Sequence, residues 1–310
     1  WMDEARRIVT DIREGKIKPI YFLHGEEVFY LDKIADFIAT NVLTEDERGF
    51  NQMVLYGKDT SIDDIVANAK RYPMMAERQV VIVKEAQHLS RTIEQLIAYA
   101  NNPQPTTVLV ICYKYKKLDK RKKLYKAVFA NGLIFEGKKL YENQVADWIR
   151  KNLTGKGYKI SHKAAILLVE FLGTDLSKID KELEKLALVL PKGHEIVPSD
   201  IEEHIGISKD YNNFELQKAL ATKNAKKSNQ IAQYFCDNPR NHPIIVSIST
   251  LFLFFSKLAI YQMATDKSKN AIASLLKVSP YFIGDYQTAA SHFSTKKTIE
   301  VIELLKEYDL

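Results

Sequence analysis

The stretch Pro19–Asp32 has the outline of a site for nucleotide phosphate. Its apolar run Ile20–Leu23 follows a proline and predicts a buried strand, Gly25 predicts a turn, and apolar residues at helical spacing come next. A strand, a turn and a helix at the start of an α/β region are the setting of a phosphate-binding loop. That loop needs a glycine, four residues, and then Gly-Lys-Ser or Gly-Lys-Thr.

The residues that would perform the phosphate chemistry are absent from this stretch. Counted from Gly25, the last three positions of the loop hold Tyr30, Leu31 and Asp32. The glycine that lets backbone N–H groups close on phosphate is a tyrosine, the lysine that reaches the phosphates is a leucine, and the hydroxyl for magnesium is a carboxylate. Two glutamates that follow Gly25 add negative charge where a polyphosphate would lie. The stretch therefore predicts the frame of a nucleotide site that lacks its chemistry.

A second part of such a site is changed as well. ATPases of this kind hold magnesium with an acidic residue that follows an apolar strand. The run Val80–Val83 predicts that strand, but Lys84 stands at the aspartate position and only Glu85 is acidic. Because two separate parts of one site are altered, the sequence predicts no ATP hydrolysis and no bound cofactor. The histidines show no zinc spacing, and no catalytic residue or metal site is predicted.

A basic run follows the predicted strand 107–112. Its lysines and arginine are interleaved with tyrosines and neutralise phosphate without reading base sequence. Two interpretations stay open, a DNA contact and an ordinary solvated helix face. The candidate DNA-binding residues are Lys116, Lys117, Lys120, Arg121, Lys122 and Lys123.

The composition is that of a mildly basic chain of two or three domains. The 310 residues carry 45 Lys and Arg against 39 Asp and Glu, a net charge of +6, which is compatible with nucleic acid but not diagnostic of it. Cys112 and Cys236 lie in apolar runs and are predicted to be buried free thiols of a reducing cytoplasm. The apolar segment Ile244–Ile260 is interrupted by polar residues and predicts a core helix, not a membrane span.

Strands and helices alternate up to about residue 140, and helices alone follow. Apolar strands that alternate with helices predict a parallel sheet covered on both faces. The strands are expected at 20–23, 53–56, 79–83, 107–112 and 133–135, and the helices between them at 27–40, 62–70, 90–100 and 119–129. Further helices are expected at 142–153, 161–172, 175–190, 198–205, 213–222, 224–237, 242–265, 268–277, 280–291 and 295–308, with no further strand. Helix 242–265 is apolar nearly all round, which predicts burial partly by other subunits.

Two stretches, Pro19–Asp32 and Arg71–Leu89, resemble the delta subunit of the bacterial DNA polymerase III clamp loader. Asp175–Leu186 is similar to that family's lid helix, and the resemblance spans nearly the whole chain. It implies a degenerate AAA+ module with a RecA-like parallel sheet in residues 1–140, a helical lid in 141–208 and a helical collar that oligomerises in 209–310. Members of the family usually run somewhat longer, so a C-terminal segment is expected to be missing.

The resemblance implies a subunit that is not an enzyme by itself. Such a subunit binds the sliding clamp (beta) and opens it for loading onto primed DNA during replication. Its partners are the ATPase subunits (tau/gamma) and delta-prime of the DNA polymerase III holoenzyme, a nucleotidyltransferase complex in the cytoplasm with no membrane contact.

Met74 and Met75 are the residues that the resemblance assigns to clamp binding. In the family, the loop between the second helix and the third strand carries two adjacent hydrophobic residues that plug a pocket on the clamp. Methionines stand at both places here, where Leu-Phe-like pairs are frequent. Methionine adapts to irregular pockets, which suits a binding surface. The alternative is that both side chains pack into the core of their own domain.

Two rival functions belong to other classes. One is an active nucleotide hydrolase of the P-loop type with an unorthodox loop, which requires nucleotide binding by the isolated chain. The other is a nucleic-acid-binding scaffold without a clamp role, which requires DNA affinity with a steep salt dependence and no effect of changes at Met74 or Met75.

Overall fold

The computed structural model describes residues 2–308, without the side chains of Met2, Glu142 and Asn143. It separates into two compact units, residues 1–140 and 141–310, and each is described by itself. The proposed further division at residue 208 stays a prediction. The expectation of a missing C-terminal segment concerns residues outside the described ones.

The first unit is a parallel sheet with helices on both faces. Its elements are α1 (Met2–Arg13), β1 (Ile20–Gly25), α2 (Phe29–Asn41), α3 (Glu45–Asn51), β2 (Gln52–Tyr56), α4 (Ile62–Ala69), β3 (Gln79–Lys84), two 3-10 turns (Ala86–Leu89 and Ile93–Leu96), α5 (Ile97–Asn101), β4 (Thr107–Lys114), α6 (Lys123–Asn131) and β5 (Leu133–Gly137).

The five strands lie in the order β2-β3-β4-β1-β5, and every pair is parallel. All of β1 is buried because alternate residues face two separate cores. Phe22 packs with Ile111 in the core under α4, α5 and α6, whereas Tyr21 packs with Val110 in the core under α1 and α2. This arrangement explains why the inner strands β1, β3 and β4 are mainly apolar runs in the sequence.

Three local features of this unit differ from the sequence-based expectation. The predicted helix 90–100 is wrong, because two 3-10 turns precede the short α5. The predicted helix 119–129 begins only at Lys123. Helix α3 was not expected, although Thr44 and Glu47 form a capping box at its start that is legible in the sequence.

The second unit is helical apart from one small sheet. Its elements are α7 (Glu142–Gly155), β6 (Lys159–Ile160), α8 (His162–Leu172), α9 (Leu176–Val189), β7 (Glu195–Ile196), α10 (Pro198–Ile205), α11 (Asn213–Ala221), α12 (Ala225–Asp237), α13 (Ile244–Met263), α14 (Lys269–Leu276), a 3-10 turn (Pro280–Phe282), α15 (Ile283–His292) and α16 (Thr295–Glu307). The parallel pair β6 and β7 corrects the expectation of no further strand. Strands of two residues carry no periodic signal, so the sequence did not indicate them.

Helix α13 has two apolar faces with different surroundings. Phe254, Phe255 and Leu258 are buried in the core with α14 and α15. At about 100° per residue, the exposed residues Ile245 and Leu253 fall on the opposite face. By length and composition α13 is also able to cross a membrane, and about a third of its apolar window is buried inside the protein. The helix therefore contributes to the core with one face and leaves an apolar stripe exposed.

The two cysteines differ in their surroundings. Cys112 is buried in the sheet, as predicted, and burial raises the pKa of its thiol to about 12. Cys236 is exposed near the end of α12, so the prediction of a buried thiol is wrong there. The apolar residues around Cys236 in the sequence mark the buried face of an amphipathic helix, and the cysteine lies on its other face.

Candidate functional site

The predicted nucleotide frame lies at the carboxyl edge of the sheet, where β1, β3 and β4 end next to one another. Gly25 ends β1, Lys84 ends β3 and Lys114 ends β4. In open parallel sheets this edge is the usual position of a ligand. The structure thus brings together the residues that the sequence analysis selected from two separate motifs.

The turn at Gly25 is closed by neighbouring backbone on two sides. The Gly25 N–H donates to the carbonyl of Lys116 at 2.9 Å, and the N–H of Tyr115 donates to the Gly25 carbonyl at 2.8 Å. On the other side, a Cβ at Gly25 would lie 2.2 Å from the carbonyl oxygen of Gly137. Gly25 also has a φ of +130°, which is essentially limited to glycine. Backbone of the protein itself therefore surrounds the turn that a phosphate loop would leave open.

The start of α2 is also satisfied from within the chain. The Glu27 carboxylate accepts a hydrogen bond from the N–H of Phe29 at 3.0 Å, and the Glu27 N–H donates to Gly137 at 3.1 Å. Tyr30 is half-buried with its ring 4.9 Å from that of Phe29, and Leu31 is fully buried. The residue at the lysine position of a phosphate loop thus belongs to the hydrophobic core, where it cannot reach a ligand.

Four charged side chains pair with one another along this edge. Asp32 accepts from the Lys114 ammonium at 2.7 and 2.8 Å with its two oxygens, and Lys84 lies 4.0 Å from Asp36. Burial lowers the pKa of Lys114, but the hydrogen bond and the charge of Asp32 outweigh it and raise that pKa above its ordinary value. The carboxylate at the magnesium-hydroxyl position is therefore neutralised by a lysine of the same chain.

The acidic motif after β3 is in an unusual backbone conformation. Glu85 has a φ of +53°, and its carbonyl oxygen packs against Gly57, where a Cβ would lie 2.3 Å away. Its carboxylate is 3.9 Å from Nε2 of His88. Among residues 2–308 the structure contains no group of three His, Cys, Asp or Glu that could hold a metal ion.

The loop between α4 and β3 presents Met74 and Met75 to solvent. Met75 is 99% exposed and Met74 is 57% exposed. The alternative that both pack into the core of their own domain is therefore wrong. Met75 also has a φ of +54°, an uncommon left-handed conformation for a residue with a side chain.

Two buried amide side chains hold this loop, and the sequence analysis selected neither of them. Asn51, at the end of α3, accepts from the Met74 N–H at 2.6 Å and donates to the Met74 carbonyl at 2.9 Å. Gln79, at the start of β3, donates to the carbonyl of Arg71 at 2.5 Å and to the hydroxyl of Thr107 at 2.8 Å. Both contacts join residues that are not neighbours in the chain, so no local pattern announces them.

The basic run follows β4 and extends to Lys123, the first residue of α6, and all six candidate residues are exposed. Several of these side chains have partners within the same unit. Lys117 pairs with Glu26 at 3.3 Å and Glu136 at 3.8 Å, and Arg121 pairs with Asp119 at 2.8 Å. Lys122 lies 3.8 Å from Glu94, and Lys116 donates to Ser90 at 2.8 Å. Exposed ion pairs are worth little, so these partners compete only weakly with phosphate.

His24 connects the turn to the basic run. Its ring is buried, and Nδ1 accepts from the N–H of Leu118 at 3.3 Å. Burial lowers the pKa of His24 to about 4, the charges of Lys120 and Lys117 act in the same direction, and Glu136 opposes them. The imidazole is therefore neutral at pH 7 and acts as a structural acceptor.

The parallel five-stranded sheet and the helical unit that follows it define the class of this protein as α/β and then all-α, which confirms the predicted order of the fold. Residues 21–138 match the family model described as "DNA polymerase III, delta subunit". DNA polymerase III subunit delta of Bacillus subtilis is 28% identical over 308 residues, which cover 96% of this chain and 88% of that protein.

The solved structure of the Bacillus subtilis DNA clamp loader delta protein superposes with a TM-score of 0.60 at 26% identity. The match covers 98% of this chain and 93% of that one. The chain is thus similar to these two delta proteins over nearly its whole length, and the predicted resemblance is confirmed.

We predict that the first unit loses stability in acid through His24. Because the folded pKa of about 4 lies below the ordinary value of 6.5, the unfolded chain binds the proton first, and stability falls as the pH drops from 6.5 to 4. This difference between the folded and unfolded pKa values lowers the free energy of unfolding by about 2–3 kcal/mol at pH 4.5. Urea unfolding of the wild type and of His24→Gln, which keeps an acceptor, measures this loss as the difference between the two proteins.

Glu170 in the second unit changes stability with pH in the opposite direction to His24. This effect is the same in the wild type and in His24→Gln, so it cancels when the two proteins are compared. Burial raises the pKa of Glu170 to about 7, so its contribution to stability is full below pH 4.5 and is lost as the pH rises to 7. Equal acid sensitivity of the wild type and His24→Gln would contradict the assignment to His24.

Proposed function

We propose that this chain is the clamp-binding, clamp-opening subunit of a DNA polymerase III clamp loader and is not an enzyme by itself. The observation that carries the proposal is Met75, a fully exposed apolar side chain held in a left-handed backbone conformation. Such strain persists where the surroundings impose it and is concentrated at functional sites. An exposed methionine pair on a fixed loop is suited to fill a pocket on a partner.

The names of two relatives support a DNA clamp as that partner. One is named as a subunit of DNA polymerase III and the other as a DNA clamp loader protein. For this chain the proposed partners are the sliding clamp (beta), the ATPase subunits (tau/gamma), delta-prime and primed DNA, in the cytoplasmic replisome. Residues 141–208 would serve as the lid and residues 209–310 as the collar of the assembly.

We infer that the chain does not use ATP. The lysine position of the phosphate loop holds the buried Leu31, the magnesium position holds Asp32 in an ion pair with Lys114, and the turn at Gly25 is closed by backbone. These features disfavour the rival function of a nucleotide hydrolase. ATP bound by the partner subunits would instead control access of the clamp to Met74 and Met75.

The proposed DNA contact uses the exposed run of Lys116, Lys117, Lys120, Arg121, Lys122 and Lys123. Four of these side chains have partners in the same unit, so a contact with phosphate would replace weak surface pairs. The rival function of a DNA-binding scaffold rests on this run alone, whereas the clamp role also accounts for the strained methionine loop.

We predict that the double change Met74→Ala and Met75→Ala abolishes clamp binding without unfolding the protein. Truncation of a central interface anchor typically costs ~2 kcal/mol or more, about 30-fold in affinity. The dissociation constant for the purified clamp and the melting temperature are measured on the same protein. The matched control is Met263→Ala, which truncates another exposed methionine. Unchanged clamp affinity in the double variant would refute the proposal.

We predict that the isolated chain shows no saturable binding of Mg-ATP up to about millimolar concentration, which corresponds to a binding free energy weaker than about 4 kcal/mol. Isothermal titration calorimetry measures this, with an ATPase partner subunit as the positive control. Binding near micromolar concentration would favour the nucleotide hydrolase instead.

We predict that the exposed stripe of α13 mediates assembly with the ATPase subunits. Charges placed on it by Ile245→Glu and Leu253→Glu should prevent co-elution, because burial of an unpaired carboxylate is strongly unfavourable. Both positions are more than half exposed, so the melting temperature should stay unchanged. Leu188→Glu, which changes another exposed apolar residue near the end of α9, is the control. Normal co-elution of the double variant would contradict the prediction. If the wild type binds lipid vesicles and the double variant does not, the stripe is instead a membrane contact.

A further inference from the structure

The loop that carries the methionines needs a restraint that the loop itself does not supply. The left-handed backbone conformation is unfavourable for a residue with a side chain, and burial does not compensate for it at Met75, since this side chain is 99% exposed. A loop with an exposed apolar tip also loses conformational freedom when it binds, unless it is already held in the bound shape. The surroundings of Met74 are therefore decisive.

Asn51 restrains Met74 through both of its backbone groups. Its Oδ1 accepts from the Met74 N–H at 2.6 Å, and its Nδ2 donates to the Met74 carbonyl at 2.9 Å and to the carbonyl of Glu47 at 3.1 Å. Only an amide side chain offers a donor and an acceptor side by side in this way. The Asn51 side chain is buried, so water does not replace these bonds readily.

The residues around Asn51 are themselves firmly placed. The capping box of Thr44 and Glu47 begins α3, and Arg48 donates to the carbonyl of Thr40 at 2.6 Å. Asn51 is followed directly by β2, which is hydrogen-bonded to β3 along its whole length. Gln79 at the start of β3 holds the other side of the loop at Arg71. The two amides thus connect the loop to the rigid sheet.

We propose that Asn51 is a positioning residue for clamp binding, which pre-forms the loop so that Met74 and Met75 meet the clamp in a fixed geometry. This role rests on the proposed function of the methionine pair. Asn51 lies beneath the loop and acts through the backbone of Met74 without touching the clamp. A supporting residue of this kind lowers the ordering cost of association.

The first test removes the restraint and measures the loop directly. In Asn51→Ala, hydrogen exchange at the Met74 amide should become at least tenfold faster at a pH where the protein is folded. Clamp affinity should fall about tenfold. The control Asn41→Ala removes the same side chain at the end of α2, where it donates to Phe37 and Thr40 of its own helix, and should leave both values unchanged.

The second test asks whether Asn51 acts through the methionines. The effect of Asn51→Ala on clamp affinity is measured again in a Met75→Ala background. The loss of affinity should shrink there from about tenfold to about twofold or less. Asn51→Asp keeps the shape and the acceptor but loses the donor to the Met74 carbonyl. It should also weaken clamp binding, and it provides the measurement if Asn51→Ala fails to fold.

The outcomes separate this role from the proposed function. If the wild type binds the clamp and neither Asn51→Ala nor Asn51→Asp changes the affinity, the positioning role is overturned. The proposed function of the methionines then remains intact. An equal loss in both backgrounds, together with a lowered melting temperature, assigns Asn51 a merely structural role and also overturns it. No clamp binding by the wild type overturns the proposed function and the positioning role together.

Discussion

The close approach of three backbone segments at Gly25 is the constraint on which this unit depends. The turn after β1 lies between the backbone at residues 115–116 and that at Gly137, with no room for a Cβ on the Gly137 side. This contact joins the ends of β4 and β5 to the start of α2. The backbone at this turn thus ties the ends of two strands to the start of a helix.

The electrostatics of the sheet edge follow from that closure. An ordinary phosphate loop gathers cations and backbone N–H groups around an anionic ligand. Here the acidic groups belong to the protein, and Lys114 and Lys117 neutralise Asp32 and Glu26 in turn. The edge needs no bound anion to balance its charge.

Strands β1, β3 and β4 could be predicted from the sequence because they lie inside one parallel sheet, where burial on both faces produces apolar runs. Local turns were less predictable: the segment 90–100 was expected to be one helix but contains a 3-10 turn that is followed by the short α5. In the site, Leu31 and Lys84 were recognisable as unsuitable residue types at motif positions. Asn51 was not, because its importance comes from a contact 23 residues away in sequence. A side chain that acts through a contact with a distant part of the chain belongs to no motif of fixed sequence spacing.

The unequal burial of the two cysteines has a practical consequence. The thiolate is the reactive form, and the buried Cys112 is held almost wholly as the thiol, whereas Cys236 is open to solvent. A maleimide dye therefore attaches to the native chain at one defined place on α12, with no engineered residue. A fluorophore there would report the arrival of a partner at the helical unit while the methionine loop, in the other unit, stays unlabelled.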